Sequence, residues 1–73
     1  MSHAHEFHEF QSWLILIEAE YREMPGLHLT ERQAQRLWGL DRQTCSELLS
    51  TLVSIGVLWE TPGHAYTLAG RAA

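Results

Sequence analysis

Three arginines that lie close together in the chain could neutralise the phosphates of a nucleic acid. Arg32 and Arg36 are four residues apart on a predicted helix, so they share one of its faces. Arg42 stands at the first position of the next predicted helix, where the positive end of the helix dipole also favours a phosphate. Phosphate neutralisation supplies much of the affinity of proteins for nucleic acid. We therefore predict that these three residues contact phosphates. The alternative is that they only solvate an exposed face and that Arg32 pairs with acids of the first helix.

The helix that Arg42 begins also carries polar side chains that could contact the edges of bases. Its outward positions are Gln43, Ser46, Glu47 and Ser50. A glutamine amide pairs naturally with adenine, and a serine hydroxyl can contact several bases. Glu47 fits a DNA-binding surface least well, because its carboxylate must either contact a cytosine amino group or lie away from the phosphates. We predict that these four side chains face bases.

The charge of the chain limits how strongly it could bind a nucleic acid. The 73 residues have a net charge of −4 and include no lysine. Residues 1–29 carry five glutamates against one arginine, whereas residues 30–73 are neutral overall. Three phosphate contacts predict a salt slope of about −3, and six contacts in a dimer a slope of about −5. Useful binding would therefore require a dimer.

The apolar residues of the first third predict one amphipathic helix over residues 6–24. They recur at intervals of three and four residues, as Phe7, Phe10, Leu14, Ile17, Tyr21 and Met24. Pro25 and Gly26 end this helix, and residues 27–29 are predicted to form a minimal strand.

The residues at the next turns predict two further helices. Thr30 can cap a helix over residues 31–38, and the glutamine three positions later can complete a capping box. Gly39 ends that helix, and Asp41 caps a third helix over residues 42–55. The residues expected to be buried are Ala34, Leu37 and Trp38 on the second helix and Cys45, Leu48, Leu49, Leu52 and Ile55 on the third.

The last third of the chain predicts a β-hairpin. Residues 57–60 and 65–68 are strand candidates, separated by a loop that contains proline and glycine.

The length allows one domain, residues 1–73, with residues 1–5 and 70–73 expected to be flexible. The predicted fold class is mainly α with a small β-hairpin (α+β), in the order α-β-α-α-β-β.

This order of elements resembles the winged helix-turn-helix superfamily. The residues that carry the resemblance are Gly39-Leu40-Asp41, Thr44-Cys45, Leu48-Leu49, Leu52 and Gly56-Val57-Leu58. The chain looks most like small bacterial regulators of the MarR and IclR type, over residues 27–68. The resemblance implies a transcriptional regulator that binds double-stranded DNA, with residues 42–55 as the recognition helix in the major groove.

The chain also departs from the pattern of that superfamily. Asp41 and Cys45 replace the serine cap and the buried valine that are common there, and both keep the physical role. Glu47 and Ser50 stand where the recognition helix usually carries basic residues, and His64 replaces arginine at the tip of the wing. The resemblance is therefore more specific for the fold than for the activity.

The first helix presents apolar side chains on a second face, which predicts a homodimer formed through this helix. Trp13, Ile15 and Leu16 lie beside the main apolar stripe, and a chain of 73 residues seldom covers two faces of its longest helix. Trp59, on the hairpin, is a further candidate interface residue because tryptophan makes a good anchor. The alternative is that the hairpin covers the helix, with Trp59 lying against it.

Other classes of function lack the residues that they need. There is no Ser/His/Asp or Cys/His arrangement in a known context and no glycine-rich phosphate loop, so we predict neither an enzyme nor a cofactor. His3, His5 and His8 near Glu9 could attract zinc, but no cysteine or fixed fourth ligand completes a metal site. The lone Cys45 is expected to be a buried, unreactive residue and suits a reducing cytoplasm. No apolar run could span a membrane, and no secretory signal is evident.

Two functions stay open at this point. One is a small dimeric winged-helix regulator of transcription that binds DNA in a bacterial cytoplasm. The other is a winged-helix module or accessory subunit that binds a protein rather than DNA. The positions of the arginines and the family resemblance favour the first function. The net acidity and the wing without basic residues favour the second.

Overall fold

The order of helices and strands is the one that the sequence predicts, which confirms the fold class. A computed structural model describes the backbone of residues 2–70 and the side chains of residues 9–70. Its elements are α1 (Ser2–Glu23), β1 (Leu29–Thr30), α2 (Glu31–Trp38), α3 (Arg42–Ser54), β2 (Leu58–Glu60) and β3 (Ala65–Leu68). The described helices include none that is long and apolar enough to cross a membrane.

Helix α1 is longer than predicted, because it begins at Ser2 rather than at residue 6. The expected flexibility of residues 1–5 and 70–73 stays a prediction, and Met1 and residues 71–73 lie outside the described part of the chain. Side chains buried along α1 include Ile17 and Tyr21, as predicted.

The cap of α2 forms as predicted. The Thr30 hydroxyl accepts from the Gln33 amide at 3.2 Å, and the Gln33 side chain accepts from the Thr30 amide at 2.9 Å. The two bonds satisfy donors that the first turn of a helix leaves without partners. To make them, Thr30 takes an extended conformation, with φ −71° and ψ 165°. Strand β1 lies at Leu29–Thr30, where these residues pair with Tyr66 and Ala65 of β3, and not at the predicted residues 27–29.

A sharp turn separates α2 from α3. Gly39 ends α2 with a φ of +64°, a left-handed conformation that glycine adopts without the steric cost of a side chain. Two residues later the Asp41 carboxylate accepts from the Thr44 amide at 3.0 Å and caps α3. These contacts make α2 and α3 two separate helices.

The three strands form one antiparallel sheet in the order β1-β3-β2. Leu29 pairs with Tyr66 at one edge, and Leu58 pairs with Leu68 at the other. Strand β3 is therefore central, and it holds the hairpin to the segment that leads into α2. Leu58 and Leu68 point into the core, whereas Trp59 in β2 is 47% exposed.

The core lies between α1, α3 and the inner face of the sheet. Its buried residues are Ile17, Tyr21, Ala34, Cys45, Leu48, Leu49, Leu52, Leu58 and Leu68. The Tyr21 hydroxyl donates to the carbonyl of Tyr66 at 3.0 Å, which ties α1 to the central strand. The Tyr21 ring also lies 6.4 Å from the ring of Trp38 on α2, between centroids, at a tilted angle. Burial raises the pKa of Tyr21 well above its ordinary value.

Two residues that were predicted to be buried are exposed. Leu37 is 54% exposed, because the inward side of α2 is formed by Ala34 and Trp38, four residues apart, and Leu37 lies off that line. Ile55 is 63% exposed, because α3 ends at Ser54 and the chain leaves the helical path before Ile55 can extend the buried stripe.

We predict that the Asp41 cap stabilises the fold in a pH-dependent way. Hydrogen bonds from Thr44 lower the pKa of the Asp41 carboxyl from its ordinary value of 3.8. The stabilisation is therefore complete above pH 3.8 and is lost as the pH falls through the lower pKa of the folded state. At pH 7, Asp41→Ala should lower the Tm by about 5 °C in thermal denaturation.

The matched control is Asp41→Asn, which keeps a capping oxygen but cannot titrate in this range. Its Tm should stay close to that of the unaltered protein at pH 7. The deficit of Asp41→Ala should shrink as the pH falls below 3.8. A deficit of the same size at pH 7 and at pH 2 would contradict this assignment of the cap.

Candidate nucleic-acid interface

The polar side of α3 is open to solvent. Arg42, Gln43, Glu47 and Ser50 are exposed, and Ser46 is half-buried among them. The opposite side of the helix packs on α1, α2 and β2 through its four buried residues. The hairpin therefore does not cover the predicted base-facing side chains, and we call this side of α3 the docking face.

The three predicted phosphate contacts are exposed, and none forms an ion pair with another side chain among residues 9–70. Arg32, Arg36 and Arg42 all project into solvent. Across the side chains that the structure describes, no carboxylate lies within 4 Å of any of the three. The acids of α1 within residues 9–23 do not bind Arg32. Instead, Glu18 accepts from Arg22 on the same helix at 2.7 Å. The three guanidinium groups are thus available to an external anion.

Acidic side chains share the docking face with Arg42. Glu31, from the first turn of α2, lines the same shallow depression as Arg42, Gln43, Ser46 and Glu47. The amide of Gln43 donates to the Glu47 carboxylate at 3.3 Å. Gln43 can therefore bind a base only if its amide gives up the hydrogen bond to Glu47. Among the predicted base contacts, this pair is the least suited to reading a base.

Glu31 is a residue of this surface that sequence reasoning missed. The capping box places Glu31 at the first position of α2. The Cys45 thiol lies 3.8 Å from the Glu31 carbonyl, so the start of α2 is held beside the first turn of α3. The strong cap at Thr30 located the start of α2, but only the packing of the two helices shows that Glu31 reaches the docking face.

A groove runs along the other side of the start of α3, toward α1. It is lined by Glu9, Phe10, Trp13, Leu40, Asp41, Thr44 and Glu47 and has a volume of about 470 Å³. Its charged lining residues are all acidic, so a phosphate would be repelled there. On the side of α3 that faces α2, Arg42 lines a depression together with Glu31 and Glu47, so that side carries one positive charge beside two negative ones.

The tip of the hairpin carries an acid and a histidine. The Nδ1 atom of His64 lies 3.0 Å from the Glu60 carboxylate, and both side chains are exposed. His64 adopts a φ of +66°, which is uncommon for a residue other than glycine. The glutamate offsets any positive charge on this histidine, so the wing offers a phosphate little attraction.

The three predicted interface residues lie on two separate surfaces. Trp13 and Leu16 line one shallow depression on α1. Trp59 lies by the turn after α1, where it lines a depression with Pro25 and Gly26. That depression includes no residue of α1 itself, so Trp59 does not cover the helix. Trp13 and Leu16 can belong to one interface, and Trp59 belongs to another part of the surface.

The histidines near the N-terminus, at positions 3, 5 and 8, have side chains outside the described part of the structure. Among residues 9–70, the structure contains no group of three His, Cys, Asp or Glu side chains that could hold a metal ion. The absence of a metal site stays a prediction for the whole chain.

Cys45 is predicted to be unreactive in the folded protein. The residue is fully buried, and burial raises the pKa of its thiol from 9.0 to about 11. Thiolate is the reactive form, so a thiol reagent at pH 8 should react with Cys45 only as fast as the chain unfolds. The matched control is Ser50→Cys, which places a second thiol at an exposed position on the same helix. That thiol should react at once, and equally fast labelling of both thiols would contradict the burial of Cys45.

The comparisons with known proteins found no match. No family model, no curated protein and no solved structure matches the chain. Any function must therefore be argued from the geometry and charges described above.

Proposed function

We propose that this protein is a small winged-helix DNA-binding protein that regulates transcription as a dimer. The observation that carries the proposal is the open docking face of α3, which begins at Arg42, together with the exposed Arg32 and Arg36; none of the three pairs with a carboxylate among residues 9–70. The order of elements supports it, since a helix that follows a sharp turn is the element that such folds place in the major groove. The proposal places the protein with DNA in a bacterial cytoplasm, where the free thiol of Cys45 would stay reduced.

In this proposal the first two turns of α3 enter the major groove. Arg42, at the start of α3, binds a phosphate with help from the positive end of the helix dipole. Arg32 and Arg36 on α2 contact the backbone beside the groove, and Ser46 and Ser50 face the bases. Gln43 reads a base once its hydrogen bond to Glu47 is released.

The charges set the expected strength of binding. Arg32, Arg36 and Arg42 are balanced by the three nearby acids Glu31, Asp41 and Glu47. Phosphate contacts from one chain would therefore give weak binding, and two chains on one duplex would double the number of contacts. We therefore propose that the protein binds DNA as a homodimer, in which α1 makes the contact between the two chains.

The same acids support a second candidate function, a winged-helix module that binds another protein. Glu31 and Glu47 flank Arg42 on the docking face, so this surface suits a partner with both basic and acidic side chains. Exposed Trp59 would serve as a separate anchor for such a partner. In this alternative the protein is an accessory subunit, and its docking face has no preference for polyanions.

Arg42→Ala is expected to weaken the binding of duplex DNA of every sequence. In a fluorescence anisotropy titration against random duplex between about 50 and 200 mM salt, the variant should reduce the magnitude of the salt slope by about 2, because a dimer loses two phosphate contacts. Arg42 is exposed and begins a helix in which alanine is well tolerated, so the fold should persist. An unchanged affinity and slope would show that α3 does not dock in this orientation.

Glu47→Gln is expected to strengthen DNA binding, because it removes a negative charge from the docking face. The matched control is Glu20→Gln, which changes the net charge equally but lies on α1. We expect Glu47→Gln to tighten binding about threefold at low salt and Glu20→Gln to change it much less. Equal effects would indicate a response to net charge alone, and no binding by any variant at about 50 mM salt would favour the protein-binding alternative.

A further inference from the structure

Glu47 lies between Gln43 and Ser50 on the docking face, so it accompanies them into any contact that this face makes. Gln43, Glu47 and Ser50 are spaced at four and three residues, which places them on one side of α3. All three side chains are exposed. A helix that docks by this side therefore brings the Glu47 carboxylate to the DNA together with the other two side chains.

The Glu47 carboxylate can accept more hydrogen bonds than it receives in the folded chain. Among residues 9–70, the donor that reaches it is the Gln43 amide, whose Nε2 atom lies 3.3 Å from Oε2. This distance is long for an N–H···O bond, which usually measures about 2.9–3.0 Å. The Thr51 hydroxyl donates to the backbone carbonyl of Glu47 and not to its carboxylate. A carboxylate offers about four acceptor sites, so most of them stay open to an external donor.

The charges around Glu47 make an external donor valuable. Arg42 lines the same depression, but among residues 9–70 no cationic side chain lies within 4 Å of the Glu47 carboxylate. Glu31 adds a second negative charge there. When DNA covers the docking face, a carboxylate that finds no donor loses its hydrogen bonds to water without replacement, which weakens binding. A DNA sequence that supplies a donor at this point is therefore favoured.

The major-groove edges of the bases differ in what they offer to a carboxylate. Guanine presents two acceptors, and thymine presents an acceptor and a methyl group, so neither supplies a donor. Adenine presents its N6 amino group beside the acceptor N7, a combination that suits an amide. Cytosine presents its N4 amino group and no acceptor. Cytosine is therefore the base whose edge best matches a carboxylate.

We propose that Glu47 determines the sequence specificity of the docking face by selecting a cytosine, whose N4 amino group donates to the carboxylate. The inference rests on the proposed DNA-binding function and adds to it the class of sequence that is bound. A dimer would contact one such cytosine in each half of its site. The arginines supply attraction to DNA of any sequence, whereas the carboxylate opposes binding wherever the cytosine is missing.

The hydrogen bond between Gln43 and Glu47 couples two positions of the site. A cytosine amino group that replaces Gln43 at Oε2 frees the Gln43 amide, which can then contact an adenine. The two residues are one helical turn apart, or about 6 Å along the axis, and successive base pairs are about 3.4 Å apart. The adenine therefore lies within about two base pairs of the cytosine. Without the cytosine, the amide stays bound to Glu47.

Selection of binding sites from a random duplex library at about 50 mM salt tests the base preference. The unaltered protein should enrich cytosine at one position of each half-site, with adenine within about two base pairs. Glu47→Gln replaces the carboxylate by an amide and should change the preferred base at that position from cytosine to adenine. Circular dichroism should show an unchanged helix content, because Glu47 is exposed.

Two further variants separate the carboxylate from the net charge and from its neighbour. Glu20→Gln, on α1, removes the same charge and should enrich the same sites as the unaltered protein. Gln43→Ala should keep the cytosine and lose the adenine. An identical base preference in the unaltered protein and in Glu47→Gln would overturn the inference. A preference for guanine or thymine at the position that Glu47→Gln alters would also overturn it.

A modified base tests the contact at a single atom. N4-methylcytosine still pairs with guanine, but its methyl group replaces the N–H that points into the major groove. At the selected position it should weaken binding of the unaltered protein about tenfold. Glu47→Ala, which has no carboxylate to lose a donor, should bind the modified and unmodified sites equally. Equal loss in both proteins would contradict the inference, because the effect would then come from the bulk of the methyl group.

Failure of the cytosine contact can be distinguished from failure of DNA binding. Binding that weakens with salt but enriches no base at the position facing Glu47 would overturn the contact and leave the proposed function intact. No binding to any duplex at about 50 mM salt would remove the proposed function, and the contact with it.

Discussion

The hydrogen bond from the Thr44 amide to the Asp41 carboxylate is the contact on which the candidate interface depends. With Gly39 in its left-handed conformation, this bond ends one helix and starts another within three residues. If the chain continued as one helix from α2, the polar side of α3 would lose its orientation relative to the core. The docking face exists because the helix is interrupted here, and the hydrogen bonds of the cap lower the pKa of the Asp41 carboxyl.

A second constraint on the fold is the small size of the core, to which α1, α2 and the central strand all contribute. Tyr21 places its ring against Trp38 and donates its hydroxyl to the Tyr66 carbonyl, so one side chain links α1, α2 and the central strand. This arrangement uses one face of α1 completely and leaves the opposite face bare. A domain of this size has too little structure to surround its longest helix. The open docking face and the exposed Ile15 and Leu16 of α1 therefore lie on different parts of the molecule.

Electrostatics distinguishes the two surfaces. On the docking face, arginines and acids are interspersed, so the balance between attraction and repulsion depends on single residues such as Glu47. On α1, Arg22 stands among Glu18, Glu20 and Glu23 and binds the first of these. Mixed charges favour selectivity over strength.

Much of the fold followed from local signals in the sequence. The capping residues Thr30 and Asp41 and the glycine at 39 determined where α2 and α3 begin and end, because caps act through hydrogen bonds within a single turn. Periodicity likewise identified the buried residues of α3 as far as Leu52. The tertiary structure alone decided that Ile55 is exposed beside α1, that Glu31 joins the docking face, and that Trp59 lies away from Trp13. These outcomes depend on how helices and strands meet, and contacts between distant segments leave no periodic pattern in the sequence.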